Sequence, residues 1–356
     1  MKVYVELAEC LDVAEWGARH ARGEVPDATP YGLHRIATAD ATAPVLLAFR
    51  APPTPRLQLA ARKVRGRLGG IDPLPTMLDR RRSSADVVLC MDERAGVPAA
   101  LRGGPPVVTG IAWADPAVRR PGPRGRLADR VVRTALQRCT AIFTQSGAFA
   151  EVLRSSWDLD PEAVHEVRLG IDVDFFTERP WPERPGVVFS VGDDRMRDHA
   201  TLVAAVQRVV DGGVPARLEL GTTLPVDLPE RLGRVHRRRL GPAVRDHYAA
   251  AEVVALALHP AKRGNGLTAL LETMASGRPL VVTDNPGLER YVEHGVTGLR
   301  VPAHDPDAMA GAIAALLTDP ERARAMGRAA RRRVEQEFST AHMAGDLLAV
   351  LRSAAG

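Results

Sequence analysis

Residues 264–302 read GNGLTALLETMASGRPLVVTDNPGLERYVEHGVTGLRVP, and the reading of this stretch decides the fold. Gly264-Asn265-Gly266 frees the backbone for a turn, and from Leu267 to Ala275 apolar residues recur at helical spacing. Gly277 stands just past that helix, where a left-handed residue is wanted. Residues 279–282, PLVV, follow as a buried parallel strand. Gly295 and Gly298 then punctuate a turn before a last short strand at 299–302. A glycine turn at a helix N-terminus offers unpaired N–H groups and the positive end of the helix dipole, which suits a phosphate. Glu272 falls about one and a half turns into the helix, where a carboxylate reaches ribose hydroxyls.

Outward from this segment, short apolar strands alternate with helical stretches along the whole chain, the pattern of an α/β protein with parallel sheets. In the first half the strand candidates are 3–7, 45–49, 87–90, 107–109 and 141–144, with helices at 127–138 and 148–155. The proline-rich stretches 51–55 and 115–125 read as loops. A chain of 356 residues exceeds one comfortable core and fits two domains. Prolines crowd ERPWPERPG at 178–186, just before a strand at 187–191, and this predicts the boundary. The last helix, from about residue 340 to 352, carries Met343, Leu347, Leu348 and Leu351 on one face.

The 264–302 segment resembles the nucleotide-binding signature of the retaining glycosyltransferases of family 4. The likeness continues through DPDAMAGAIAALLTDPERARAMGRAARRRVEQEFS at 305–339, similar to that family's closing helices. It extends upstream to VRLGIDVDFF at 167–176 and to FSVGDDRMRDHATLVAAV at 189–206, which resembles the first strand, phosphate loop and helix of the donor domain. The resemblance implies two Rossmann-like α/β domains facing across a cleft, the GT-B architecture. Residues 1–180 would bind the acceptor and 181–339 the nucleotide sugar. Residues 340–356 would form a helix that crosses back to the first domain, with capping of the second as the alternative.

The same resemblance implies transfer of a sugar from a nucleotide-diphosphate donor to an acceptor hydroxyl, with retention, no metal and no cofactor. Negative charge on the departing phosphate must then be met by cationic side chains and backbone N–H groups. Arg195 and Arg197, in the loop beyond the strand at 187–191, are the candidates. They stand in for the family's arginine and lysine, because Asp193 follows Gly192 and the loop holds no lysine. Lys262, Asn265, Gly266, Leu267 and Thr268 are donor-binding candidates with Glu272, which matches the second glutamate of the family's pair. The first glutamate is missing, since Gly264, or Arg263 in the alternative alignment, stands there. In the first half no glycine occurs between Leu7 and Trp16, where the family has a glycine-rich loop. Ile111 falls approximately where many members have a histidine. Asp92, at a strand end, is the candidate catalytic carboxylate. Glu93 and Asp115 are candidate acceptor-binding residues, with ordinary loop carboxylates as the plainer reading of all three.

Composition narrows the classes. Hydrophobic residues make 45% and charged residues 26%, ordinary for a soluble globular chain. Three widely spaced cysteines form no disulfide framework or metal-ligand motif, which points to a reducing cytoplasm. The chain opens directly on a strand, without a signal segment, and no apolar run approaches the ~20 residues of a membrane span. Nucleic acid is disfavoured as a partner, because aromatics are only 4% and the net charge is a modest +5. RLQLAARKVRGR, at 56–67, reads as a solvated amphipathic helix, with peripheral contact to an anionic membrane as the alternative. The expected partners are a nucleotide-sugar donor and a small-molecule, glycan or glycolipid acceptor. A catalytically impaired sugar-nucleotide-binding or scaffold protein of the same fold is the competing reading.

Overall fold

The computed structural model describes residues 1–68, 70–116 and 122–356, the side chain of Cys10 excepted. It divides into two compact units, the first of Met1–Arg22, Asp27–Arg168 and Ala341–Gly356, the second of Gly23–Pro26 and Leu169–Thr340.

The first unit holds strands β1 (Lys2–Glu6), β2 (Leu46–Phe49), β3 (Val87–Cys90), β4 (Val107–Gly110), β5 (Ala141–Thr144) and β6 (Val164–Glu166). Its helices are α1 (Val13–Ala21), α2 (Pro55–Arg67), α3 (Pro73–Leu78), α4 (Glu93–Arg102), α5 (Gly122–Leu136) and α6 (Gly147–Arg154). The strands pair in parallel in the order β2-β1-β3-β4-β5-β6. The order reverses between β1 and β3, the crevice where such sheets bind ligands outside the strand C-termini. The predicted loop at 115–125 is shorter than expected, because Gly122 already begins α5; residues 117–121 lie outside the described residues.

The second unit holds β7 (Val187–Val191), β8 (Arg217–Gly221), β9 (Gly233–His236), β10 (Val253–Leu256), β11 (Leu280–Thr283) and β12 (Leu299–Val301). Its helices are α7 (His199–Asp211), α8 (Val244–Ala250), α9 (Leu267–Ala275), α10 (Pro306–Leu317) and α11 (Pro320–Glu337). All pairs are parallel, in the order β12-β11-β10-β7-β8-β9, the arrangement of a dinucleotide-binding Rossmann sheet, with the reversal between β7 and β10. β10 and β11 are buried along their whole length, as strands covered by helices on both faces must be. α10 and α11 each begin with an aspartate cap followed by proline. Asp305 accepts the Ala308 N–H at 2.8 Å and Asp319 that of Arg322 at 3.0 Å. Gly277 ends α9 at φ +67°, the left-handed position read from the sequence.

The division falls at Arg168 rather than near residue 180. The Leu169 N–H donates to the Tyr291 hydroxyl at 3.0 Å, and the Ile171 N–H to the Phe338 carbonyl at 2.9 Å. Ile171 and Phe176 lie in one apolar cluster with Tyr248, Leu270 and Met274. The proline-rich stretch beyond is a strap on this unit, held by the buried Arg278, whose guanidinium donates to the carbonyls of Arg179, Pro180, Tyr248 and Ala249. The final helix, α12 (Thr340–Ala355), belongs with the first unit from Ala341 onward. Met343, Leu347, Leu348 and Leu351 are all buried, and Asp346 takes a forked pair of hydrogen bonds from Arg168 at 2.6 and 2.7 Å. Among the described residues no helix is long and apolar enough to cross a membrane.

Candidate functional site

The chemistry of the second unit gathers at the β7/β10 reversal. The loop leaving β7 is fastened to the segment leaving β10: the Asp198 N–H donates to Ala257 at 3.0 Å and the His259 N–H to Met196 at 2.8 Å. This register turns the Arg197 guanidinium inward across Gly192. A Cβ on Gly192 would overlap that guanidinium, so only glycine lets it lie on the main chain. Its Nη1 is 3.5 Å from the point where a Cβ of Gly266 would stand. Arg197 therefore lies between Gly192, which follows β7, and Gly266, which opens α9. Its Nε and Nη1 are buried and make no hydrogen bond among the described residues. Burial lowers its pKa, against the opposing pull of Tyr248, Asp194 and Glu272.

Glu272, on α9, lies on the same side. Its Oε2 accepts the Tyr248 hydroxyl proton at 2.8 Å. Burial pushes its carboxyl up to about 7, with the Tyr248 hydrogen bond and Arg197 holding it lower than burial alone would. Gly264 and Gly266 take φ +71° and +80°, which opens α9 with its first-turn amides, at Thr268 and beyond, ahead of the helical ladder. Asn265 is buried with its Nδ2 unpartnered among the described residues. The Leu267 side chain belongs to the core, which leaves only its backbone for a ligand. Thr268 and Lys262 are exposed.

The predicted arginine pair divides. Arg197 faces inward and Arg195 is exposed on the loop surface, so only one of the two shares the site of Glu272. Asp193, where the family has arginine, is tied to the loop after β8, accepting the Thr223 N–H at 2.6 Å and its hydroxyl at 2.9 Å. Tyr248 gave no sequence signal, since its contact with Glu272 spans 24 residues and exists only in the folded unit. A further group lies at the strand ends. Asp198 caps α7 and accepts from Thr201; the same carboxylate takes the Nδ1–H of His304 at 2.8 Å and has His259 Nδ1 at 3.8 Å. Next to it His199 is buried, and its pKa is lowered to about 4, first by burial and then by Arg197.

In the first unit the carboxylates have structural work. Asp92 caps α4, accepting the Arg94 N–H at 2.9 Å, and its second oxygen takes the Arg94 guanidinium at 2.6 and 3.0 Å. Glu93 is buried and accepts the N–H groups of Ala112, Trp113 and Ala114 at 2.9, 2.8 and 2.6 Å, so it builds the loop after β4. Both Asp92 oxygens are thus engaged by Arg94. Asp115 is half-buried in the loop after β4, and Ile111 is a core residue. The turn after β1, which lacks glycine, places Glu9 at φ +64°, and its carboxylate meets Arg94 at 2.6 Å. Glu9 and Arg94 thus occupy the reversal between β1 and β3, a pairing no local motif announces.

Residues 187–319 match the family described as "Glycosyl transferases group 1". That span carries a group 1 glycosyltransferase domain. It runs from β7 through α10 and includes Gly192, Arg197, Tyr248, Gly266 and Glu272. Among curated relatives, the alpha-maltose-1-phosphate synthase of Mycolicibacterium smegmatis is 32% identical over 257 residues, which are 62% of this chain and 65% of that protein. The chain therefore spans just under two thirds of that relative's length. Among solved structures, sucrose-phosphate synthase from Thermosynechococcus elongatus superposes with a TM-score of 0.69 at 16% identity, over 99% of this chain and 98% of that one. Anabaena HepE in complex with UDP gives 0.67 at 15% identity, over 99% and 100%. These likenesses, with the two parallel six-stranded sheets, establish the GT-B pair of Rossmann-like domains around the group 1 signature.

Proposed function

We propose that this chain is a retaining glycosyltransferase that moves a sugar from a nucleoside-diphosphate donor to an acceptor hydroxyl, without a metal ion or cofactor in the transfer step. The observation that carries the reading is Arg197, half-buried between Gly192 and Gly266 with its buried Nε and Nη1 donors unpartnered among the described residues, within electrostatic reach of Glu272. Buried donors left without a hydrogen-bond partner are costly, and a diphosphate would supply the missing acceptors. Glu272 would receive the ribose hydroxyls, and the amides opening α9 would take phosphate oxygens. The acceptor would be a small molecule, a glycan or a glycolipid.

In the transfer, the bond from the anomeric carbon to the leaving phosphate breaks with its electron pair on the phosphate oxygen. The acceptor oxygen bonds to that carbon from the same face, and its proton passes to the departing phosphate. Arg197 would stabilise the charge as it develops. This route needs no protein base, in keeping with Asp92 and Glu93 both being engaged elsewhere.

Gly264, standing where the family's first glutamate would touch the donor sugar, favours a second reading: a protein that binds the nucleotide and does not turn it over. Incubation with a panel of nucleotide sugars and acceptors, UDP-sugars first because HepE is solved with UDP, separates the two. Release of nucleoside diphosphate coupled to an α-linked product from an α-linked donor supports transfer. Tight binding with no release from any donor supports the second reading.

A further inference from the structure

Asp198, His259 and His304 come from three segments far apart in sequence: the cap of α7, the chain leaving β10, and the turn between β12 and α10. Each offers one ligand atom, and these atoms all lie within 4.8 Å of one another. We infer that they form a binding site for a zinc-class divalent transition-metal ion, independent of the transferase reading above.

The donor set and its spacing carry the inference. In a tetrahedral zinc site, bonds of about 2.0–2.2 Å place donor atoms roughly 3.3–3.5 Å apart. The Asp198 oxygen is 2.8 Å from His304 Nδ1 and 3.8 Å from His259 Nδ1, which brackets that separation. The two ring centroids lie 5.2 Å apart at an interplanar angle of 43°, tilted and not stacked face to face. Two imidazoles and one carboxylate select zinc, cobalt or nickel over magnesium and calcium, which prefer oxygen donors. Asp198 is also oriented by Thr201, which donates both its N–H at 3.0 Å and its hydroxyl at 2.7 Å, as outer partners orient a metal-ligating carboxylate. The α7 dipole opposes a cation at this end, and the Asp198 carboxylate offsets it.

His304 adds a second argument. It stands at φ +57°, a left-handed backbone that a histidine adopts at a cost and that a glycine would adopt freely. That conformation turns the ring onto Asp198. A bound ion would pin the β12–α10 turn and the chain leaving β10 to the start of α7.

The test uses the full-length protein stripped with a chelator and dialysed. Zinc is titrated against a chromophoric competitor, and cobalt is added separately to read its d–d absorption. One zinc per chain is expected, with visible cobalt bands of four- or five-coordinate intensity, and with magnesium neither competing nor stabilising. His304→Gly removes a ligand while relieving the backbone, so it folds. It and His259→Ala should each weaken zinc binding at least about tenfold, and Asp198→Asn, which keeps a capping oxygen, should do the same. Zinc should also raise the melting temperature of the wild type more than that of His304→Gly. No stoichiometric zinc in the wild type, or affinity unchanged in either folded histidine variant, overturns the site and leaves a hydrogen-bonded cluster.

Discussion

Arg197 and Arg195 stand two residues apart on one loop, yet only Arg197 is turned onto Gly192, with donors that protein groups do not satisfy. Truncating it should resemble loss of a transition-state hydrogen-bond donor, so Arg197→Ala should lower turnover by about 10²-fold or more, with a smaller loss of ground-state donor affinity. Arg195→Ala should stay within about twofold, as surface changes away from such features do. Single-turnover rates decide this, and equal losses in the two variants would remove the assignment. Glu272 supplies a pH signature. Its carboxyl is raised from 4.5 to about 7 by burial, so the folded protein holds that proton where the unfolded chain has released it. Stability from this group is present at low pH and falls as pH rises from about 4.5 through 7. Glu272→Gln should flatten that fall. Melting temperatures of the two proteins across this window would show it, and parallel curves would contradict the shift. Neither effect could be read from spacing alone, because both depend on burial that exists only in the folded unit.

The α9 segment was legible almost to the residue: the helix spans Leu267–Ala275, and Gly277 takes the expected left-handed turn. Glycine turn, apolar period and closing glycine all act locally, so their meaning does not wait on the rest of the chain. What packs against the element is another matter. Gly327, inside α11, lies so close to the carbonyl of Gly277 that a Cβ would overlap it. In the sequence it is a glycine in an arginine-rich helix, where only the propensity cost of about 1 kcal/mol would be noted. Gly327→Ala should improve local propensity and still destabilise the protein, by about 1–3 kcal/mol, because α11 must back away from the end of α9. Urea denaturation measures this; a gain in stability would mean that α11 yields without cost.

At the scale of the molecule, α12 has a large consequence for its length. Removing residues 341–356 would uncover the surface that buries Met343, Leu347 and Leu351. At about 1.5–3 kcal/mol for each such side chain, the loss is on the order of 5 kcal/mol, comparable with the whole stability of a marginal domain. Hydrogen exchange should show protection lost from β1 to β6 in the shortened protein, while β7, β10 and β11 stay protected. Uniform loss across both sheets would mean that the two units do not unfold separately.

The sequence by itself determined the alternation of strand and helix, the parallel sheets, the donor-side glycine turn and the candidacy of Glu272 and Arg197. These follow from local backbone preference, from hydrophobic period, and from a signature confined to one stretch. Only the tertiary structure decided which loop charges find partners within the fold. It engaged Asp92 as a helix cap, spent Glu93 on three backbone amides, and left Arg195 outside. It moved the division of the chain to Arg168, because the prolines at 178–186 are strapped down by Arg278. It also drew Asp198, His259 and His304 together at the ends of three different segments. The physical reason is common to these cases: a carboxylate, an arginine or an imidazole has no fixed role until its partners are known. Arg94 apart, which meets Asp92 at two residues' distance, those partners lie at sequence separations where no periodicity reaches.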